Sequence, residues 1–517
     1  GCPHRKRPIG IERSRRRVTR VDDSERRRLC PCSLAWAPRL DGHEQRADKP
    51  CMRLYERDAT ELLELLEAGD VSSEEIVKAL HERADEVEPK VGAYAHQLRK
   101  EALEAARARD TERQAGDAVG MLHGLPISVK DLIMVKDMPW TRGSWFFRNA
   151  VPKQDPPAIE RLRQAGAIIT GKTNTPELGW KGASSNVLFP ETRNPWNLER
   201  TPGGSSGGAT AAVAAGFGPL HIGSDGGGSI RIPAAFTGTF GFKASYGRIP
   251  NTPVAPNGRI GHLGPQTRTV DDAALLYQVL AGPDERDPYS LPQETVADGA
   301  PVPVEGLRVG WAPDLGFLKA DREVVRICER AVRRLEDARC TIVPLKISIE
   351  DPLESTIGIA IRAGIGRIVT SFPDWRKHID PELGEVIAAA EENMSPFSLA
   401  DAALGIGRIW DDLRGHFAKI DVLALPTTPT VAFPIGQNSP SRWLKVPEGA
   451  TRWFGLTAAF NATGQPAASV PAGFTRTGLP VGLQLVGRRY DDWTLMRACK
   501  TFEQVAPWAD KWPKAAR

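Results

Sequence analysis

Apolar residues recur at helical spacing in the first part of the chain's body. Asp58 and Ser72 each precede a glutamate by three residues, which is the spacing of a capping box, and leucines or isoleucine follow at intervals of three and four. Alanine and leucine repeat in the same way among the charged residues around 102–106. The pattern predicts three helices before Gly120.

Strand signals begin after these helices. The β-branched run in LHGLPISVKDL, residues 122–132, predicts a buried strand that ends in charge at Lys130 and Asp131. Helix and strand patterns then alternate at 158–170, 307–311, 322–345 and 421–425. Such alternation favours an α/β fold built on a central sheet. The stretch from about 352 to 418 is helix-rich and less regular.

Length and composition are those of a globular protein, because 517 residues with 41% hydrophobic content can bury a large core. The formal net charge of +4 is unevenly distributed, with +7 in residues 1–51 and −3 in the rest. A near-neutral body offers no electrostatic footprint for nucleic acid or an anionic membrane. Residues 1–51 lack apolar periodicity, so we expect them to be a disordered N-terminal extension.

Targeting and cofactor signals are weak in this chain. No apolar run resembles a signal-peptide core or reaches the length of a membrane span, so we expect a cytoplasmic protein with no membrane partner. The seven cysteines form no disulfide framework, which fits a reducing compartment. Cys30 and Cys32 could be half of a metal site, but no second pair lies nearby. We therefore expect no metal ion and no other cofactor.

The first candidate for chemistry is a glycine–serine run, TPGGSSGGAT, at residues 201–210. An uncharged helix-forming stretch at 209–215 follows directly, which argues against a flexible linker. The run lacks the lysine that closes a phosphate-binding loop. It does contain the GxSxG pattern of a serine elbow, but the scattered histidines argue against a Ser-His-Asp triad.

A second glycine–serine segment, GSDGGGSIRIP at 223–233, places Ser229 24 residues after Ser205. Three glycines before Ser229 would let successive backbone N–H groups point into one concavity, as an oxyanion requires. Taken alone, the segment could also be a tight turn into the residues that follow it.

Three pieces in order resemble the amidase signature family: PISVKD at 126–131, GGSSGG at 203–208 and GSDGGGSIRIP at 223–233. The resemblance covers residues 53–510. It implies a single large α/β amidase domain over 52–517, in which helices sandwich a mixed central β-sheet. The core motifs would lie within 120–265, and the helix-rich stretch at about 352–418 would be a variable substrate region.

The resemblance also implies a Ser-Ser-Lys triad. Ser229 would be the nucleophile, Ser205 a bridging serine after a cis Gly204–Ser205 bond, and Lys130 the base, with its pKa lowered by burial from about 10.4. Ser206 would support these residues, while Asp225 and Arg231 would be structural charges. The oxyanion would sit on the backbone N–H groups of Gly226, Gly227, Gly228 and Ser229.

The resemblance alone leaves the role open. In the branch that forms the glutaminase subunit of the Asp-tRNA/Glu-tRNA amidotransferase, we would expect Gln where Ile232 stands and a Ser-Leu-Asp-Gln segment within 258–264. Both departures favour a free-standing hydrolase of small-molecule amides that uses no nucleic acid. A catalytically silent binding subunit is the alternative from another class, and a homodimer is left open. The expected pocket residues are Trp140, Trp145, Trp180 and Phe189.

Overall fold

A computed structural model describes most of the chain from Arg53 to Ala516. The residues it does not describe are 1–52, Ala118, 255–257, Gln293, 295–302, Pro396, 444–448 and Arg517. The extension expected at 1–51 therefore lies outside the described residues, as does the cysteine pair within it.

One mixed β-sheet forms the centre of the described chain. In chain order its strands are β1 Tyr94–Gln97, β2 Pro126–Lys130, β3 Ile168–Thr173, β4 Leu220–Asp225, β5 Phe240–Lys243, β6 His262–Thr267, β7 Arg308–Trp311, β8 Thr341–Pro344, β9 Val422–Pro426, β10 Ala467–Phe474 and β11 Pro480–Val486. Across the sheet the order is β1-β3-β2-β4-β6-β5-β10-β11-β9-β7-β8. Strand β2 runs parallel to both β3 and β4, whereas β4 and β6 are antiparallel.

Helices fill the connections between these strands. They are α1 Ala59–Glu67, α2 Ser73–Val91, α3 Arg99–Ala115, α4 Pro157–Gln164, α5 Gly207–Ala215, α6 Arg231–Thr237, α7 Val270–Leu280, α8 Arg322–Arg333, α9 Pro352–Ser355, α10 Ile357–Val369, α11 Pro381–Asn393, α12 Ser398–Arg414, α13 Gly449–Arg452, α14 Gly455–Ala462 and α15 Asp492–Val505. The two capping boxes predicted at Asp58 and Ser72 are both present, at the starts of α1 and α2.

Both faces of the sheet are covered, as the fold prediction requires. Along β9, Val422 and Ala424 belong to one buried apolar cluster, while Leu423 and Leu425 belong to a second. Successive side chains of a strand point to opposite faces, so the two clusters lie on opposite sides of the sheet. The α/β fold with a sandwiched mixed sheet is confirmed.

The sheet brings the motifs together. Because β2 and β4 are parallel neighbours, their carboxyl ends lie at the same edge, with Lys130 closing β2 and Asp225 closing β4. In open α/β sheets this edge is where ligands bind. Helix α5 begins at Gly207 directly after the first serine pair, and α6 begins at Arg231 directly after the second glycine segment.

Candidate active site

Lys130 lies at the centre of a cluster of serine hydroxyls. Its side chain is fully buried, and its Nζ is 2.7 Å from Ser205 Oγ, 2.8 Å from Ser206 Oγ and 3.1 Å from Ser224 Oγ. Burial lowers the pKa of Lys130 well below its ordinary value, although the charge of Asp225 opposes the shift. The amine therefore becomes neutral at a lower pH than an exposed lysine does.

The hydrogen bonds of Ser206 determine which groups around Lys130 Nζ donate and which accept. Ser206 Oγ donates to the carbonyl oxygen of Ser224 at 3.0 Å, so towards Lys130 it can only accept. A neutral lysine amine has two N–H donors and one lone pair. If the amine donates to Ser206 and Ser224, its lone pair is left to accept from Ser205. The arrangement can thus draw a proton from the Ser205 hydroxyl.

The two glycine–serine segments meet beside this cluster. The peptide bond between Gly204 and Ser205 is cis, as the family resemblance implies. The backbone N–H of Ser206 donates to the carbonyl oxygen of Ser229 at 3.1 Å, which holds the two segments together. Ser205 and Ser229 line the same cavity, and no hydrogen bond joins their hydroxyls within the described residues.

A buried ion pair holds the second glycine segment. Arg231 Nε and Nη2 donate to the two carboxylate oxygens of Asp225 at 3.0 and 2.9 Å, and both side chains are fully buried. Arg231 also donates to the side chains of Gln484 and Asn461, at 2.7 and 2.6 Å. Burial alone would raise the pKa of Asp225, but the paired guanidinium holds it below its usual range. The pair acts as a structural anchor for the loop between β4 and α6.

Asp225 also corrects one sequence prediction. The N–H of Gly228 donates to Asp225 Oδ1 at 2.6 Å, so it is already occupied and is not available to an oxyanion. The second oxygen of the same carboxylate accepts from the N–H of Ile230 at 3.1 Å, so Asp225 caps the turn through both of its oxygens. The N–H groups of Gly226, Gly227 and Ser229 make no hydrogen bond among the described residues and are left for a ligand.

Gly228 itself has a steric reason to be glycine. Its φ is +131°, and a Cβ at this position would lie 2.1 Å from Thr457 Oγ1. Thr457 in turn donates to the carbonyl oxygen of Gly227 at 2.6 Å. Helix α14 therefore packs against the loop backbone at a distance that no side chain would allow.

We expect Arg231→Met to lower the free energy of unfolding by about 3–5 kcal/mol, because it leaves the buried carboxylate of Asp225 without its counter-charge. Chemical denaturation monitored by circular dichroism measures the loss. Arg308→Met is the matched control, since Arg308 forms a similar two-point pair with Asp421 at the surface and should lose little stability. Equal losses in the two variants would show that the buried pair is not the anchor described here.

A cavity of about 380 Å³ opens onto Ser205 and Ser229. Among the aromatic residues expected to line it, Trp140 and Trp180 do so, whereas Trp145 and Phe189 do not. The ring of Trp145 instead stacks on His378 with centroids 3.7 Å apart, and Phe189 packs edge-on against His96. These two residues are therefore removed from the expected pocket.

Several lining residues were not anticipated from the sequence. Helix α10 contributes Ile361, Gly364, Ile365 and Ile368, so part of the stretch expected to bind substrate does reach the cavity. Arg142 and Lys181 bring charge to the wall, and His262 lies at the end of β6 nearest Asp225. The four α10 residues follow helical spacing, but that spacing does not say which surface the helix faces. Arg142, Lys181 and His262 lie on separate segments that only the fold brings together.

Among the described residues, no group of three or more His, Cys, Asp and Glu side chains is placed to hold a metal ion. Nor does any helix in this part of the chain combine the length and apolar character needed to cross a bilayer.

Comparison with known proteins gives consistent matches. The family model named Amidase matches residues 75–496. An acylamidase from Rhodococcus erythropolis is 38% identical over 472 residues, covering 89% of this chain and 98% of that protein. A glutamyl-tRNA(Gln) amidotransferase subunit from a Sulfurihydrogenibium species is 34% identical over 492 residues, covering 90% and 100%. The crystal structure of a bacterial aryl acylamidase superposes with a TM-score of 0.81 at 30% identity, covering 87% of this chain and 96% of that one.

Proposed function

Since the chain belongs to the amidase family of amide-hydrolysing enzymes, we propose that it is a free-standing hydrolase that cleaves small-molecule amides through an acyl-enzyme on Ser229. The observation that carries the proposal is the contact of 2.7 Å between Lys130 Nζ and Ser205 Oγ, in the wall of a cavity that Ser229 also lines. A buried lysine with a lowered pKa is a base suited to neutral pH.

In the acylation step, Ser229 Oγ bonds to the amide carbon while its proton passes to Ser205 Oγ. Ser205 gives up its own proton to the lone pair of Lys130 Nζ in the same relay. The Ser229 hydroxyl reaches Ser205 by rotation about its Cα–Cβ bond once substrate is bound, since catalytic hydrogen bonds commonly form only in the complex. The serine is activated because its proton has an acceptor as the C–O bond forms.

Charge then develops on the carbonyl oxygen of the substrate. The N–H groups of Gly226, Gly227 and Ser229, which make no other hydrogen bond among the described residues, are the donors that would face this oxygen. Asp225 and Arg231 fix the loop through their buried ion pair. In this way the buried ion pair would keep the donors aimed before the reaction begins.

The relay runs backwards as the C–N bond breaks. Lys130, now protonated, returns its proton through Ser205 to the departing amine nitrogen, and the ester on Ser229 remains. A water molecule then attacks this ester, with Lys130 and Ser205 again taking the proton. The carboxylic acid leaves, and all three side chains regain their starting protonation.

Much of the cavity wall is apolar. Leu132, Trp140, Ile232, Ile365 and Phe454 all contribute to it. Such a wall suits an aryl or long-chain acyl group better than the small polar side chain of glutamine. Ile232 offers no hydrogen bond at a position where the tRNA-dependent branch is expected to use an amide. We propose accordingly that the enzyme works without nucleic acid.

The runner-up function is that of the glutaminase component in a tRNA-dependent amidotransferase, because relatives of that kind match nearly the whole described chain. We expect glutamine to be hydrolysed with a kcat/KM at least about 100-fold below that of an aliphatic anilide. The reason is that the α-ammonium group of glutamine would enter the cavity without a free carboxylate partner, a cost that the anilide does not meet. Ammonia release and aniline release, measured with and without tRNA, test this directly. Brisk glutaminase turnover, or stimulation by tRNA, would favour the runner-up.

A further inference from the structure

We infer that Arg142 selects substrates that carry a carboxylate, by pairing its guanidinium with that group inside the cavity. The inference rests on the proposed function and names its substrate class. Arg142 lines the cavity together with Ser205 and Ser229, yet it takes no part in the proton relay.

The guanidinium of Arg142 makes no hydrogen bond and no ion pair with any described residue, and its Nε is buried without a partner. Its neighbours are aromatic: the guanidinium carbon lies 4.6 Å from the ring centre of Phe147 and 5.3 Å from that of Trp140. Faces of aromatic rings stabilise a cation but leave its in-plane N–H donors unused. The donors at the Nη end are therefore available to a ligand.

Other charges near the wall are already paired. Lys181, the second cation lining the cavity, donates to Asp380 at 2.9 Å and to Asn438 at 2.6 Å. Asp131, which acts on Arg142 through its charge, lies 3.4 Å from the buried amine of Lys172. The carboxylates close to Arg142 and Ser229 thus have partners, and Arg142 itself forms no direct ion pair within the described chain.

Arg142 is half-buried, so its charge has lost part of its hydration without gaining an ion pair, and a ligand that pairs with it is favoured. Burial lowers the pKa of Arg142 to about 10, which still leaves the guanidinium protonated at neutral pH. A carboxylate matches its planar fork of donors with two parallel hydrogen bonds. An uncharged substrate would leave those donors unsatisfied.

The position of Arg142 suits a group near the scissile bond. Its carbonyl oxygen accepts from the N–H of Leu178 at 2.8 Å. The next residue, Gly179, packs so closely on the reactive serine pair that a Cβ there would lie 3.2 Å from Ser205 Oγ. Arg142 and Ser205 therefore lie on one continuous wall of the cavity.

Glutaranilic acid and 5-methylhexananilide form a matched pair for the test, because an isopropyl group replaces the carboxylate of the first in the second. A second pair, 4-(hexanoylamino)benzoate and N-(4-isopropylphenyl)hexanamide, places the charge on the amine side. We expect kcat/KM to favour the charged member of at least one pair by about tenfold or more. In Arg142→Gln this ratio should fall at least about tenfold, and Arg142→Lys should give an intermediate ratio.

Arg148→Gln is the matched control, because Arg148 lies on the same segment but is exposed and does not line the cavity. Its guanidinium carbon lies 3.6 Å from the ring centre of Trp145. This variant should keep the wild-type ratio. Calorimetric binding of both pairs to Ser229→Ala separates this inference from the proposed function, because binding needs no turnover. If wild-type turnover and Ser229→Ala binding show no preference for the charged member of either pair, the inference is overturned. The same holds if Arg142→Gln and Arg148→Gln change the ratio equally.

Discussion

Ser229→Ala is expected to lower kcat for amide hydrolysis by at least about 10⁴-fold, because it removes the oxygen that forms the acyl-enzyme. Substrate binding should change only a few-fold, since the cavity wall and the three free N–H donors remain in place. Single-turnover kinetics and calorimetric titration measure the two quantities separately. A variant that loses binding as well as turnover would point to a structural defect.

Ser206→Ala is the control for this experiment. Ser206 also contacts Lys130, at 2.8 Å, but its own proton is held by the carbonyl oxygen of Ser224. Its loss should weaken the position of the amine and cost about tenfold in kcat, as expected for one hydrogen bond of this kind. Equal losses in the two variants would mean that the reacting hydroxyl has been assigned to the wrong serine.

Lys130→Ala is expected to slow amide hydrolysis by about 10³-fold and hydrolysis of an activated ester with the same acyl group about tenfold less. General acid–base catalysis commonly contributes 10²–10⁴-fold. The amide needs both proton acceptance from Ser229 and proton return to the amine, whereas the ester releases a stable phenolate unaided. The comparison requires that acylation limits both rates, which burst kinetics establish. An amide turnover close to that of the wild type would remove Lys130 from the mechanism.

The pH dependence of kcat/KM tests independently whether Lys130 is the base. Because burial lowers the pKa of Lys130, the neutral amine should build up as pH rises through a value well below that of an exposed lysine, and kcat/KM should rise with it. This rising limb should be absent in Lys130→Ala. Lys136→Ala, which changes an exposed lysine on the following loop, should retain it.

Local signals in the sequence were sufficient for much of the fold. The capping boxes at Asp58 and Ser72 and the buried run ending at Lys130 correspond to α1, α2 and β2 because each is specified by neighbouring residues. Strand β6 was not anticipated, since it contains Gly264 and Pro265, which have low strand propensity. It is nevertheless central, paired with both β4 and β5, so tertiary packing overrides the local preference.

The sequence predicted those residues of the site that belong to the family motifs, and no others reliably. The family motifs name Lys130, Ser205 and Ser229, but they do not say which N–H groups of the glycine loop remain free. That depends on Asp225 folding back onto Gly228, which is a detail of the turn. The pocket prediction relied on aromatic residues near Lys130 in sequence. It was wrong for Trp145, because the chain turns between Trp140 and Trp145 and directs the second ring towards His378.

Locating the covalent bond shows whether Ser229 is the nucleophile. The wild-type protein is labelled with a fluorophosphonate, digested, and analysed by tandem mass spectrometry. We expect the adduct to lie on Ser229, and labelling to be lost in Ser229→Ala and slowed in Lys130→Ala. An adduct on Ser205 or Ser206, or labelling of Ser229→Ala at the wild-type rate, would contradict this assignment.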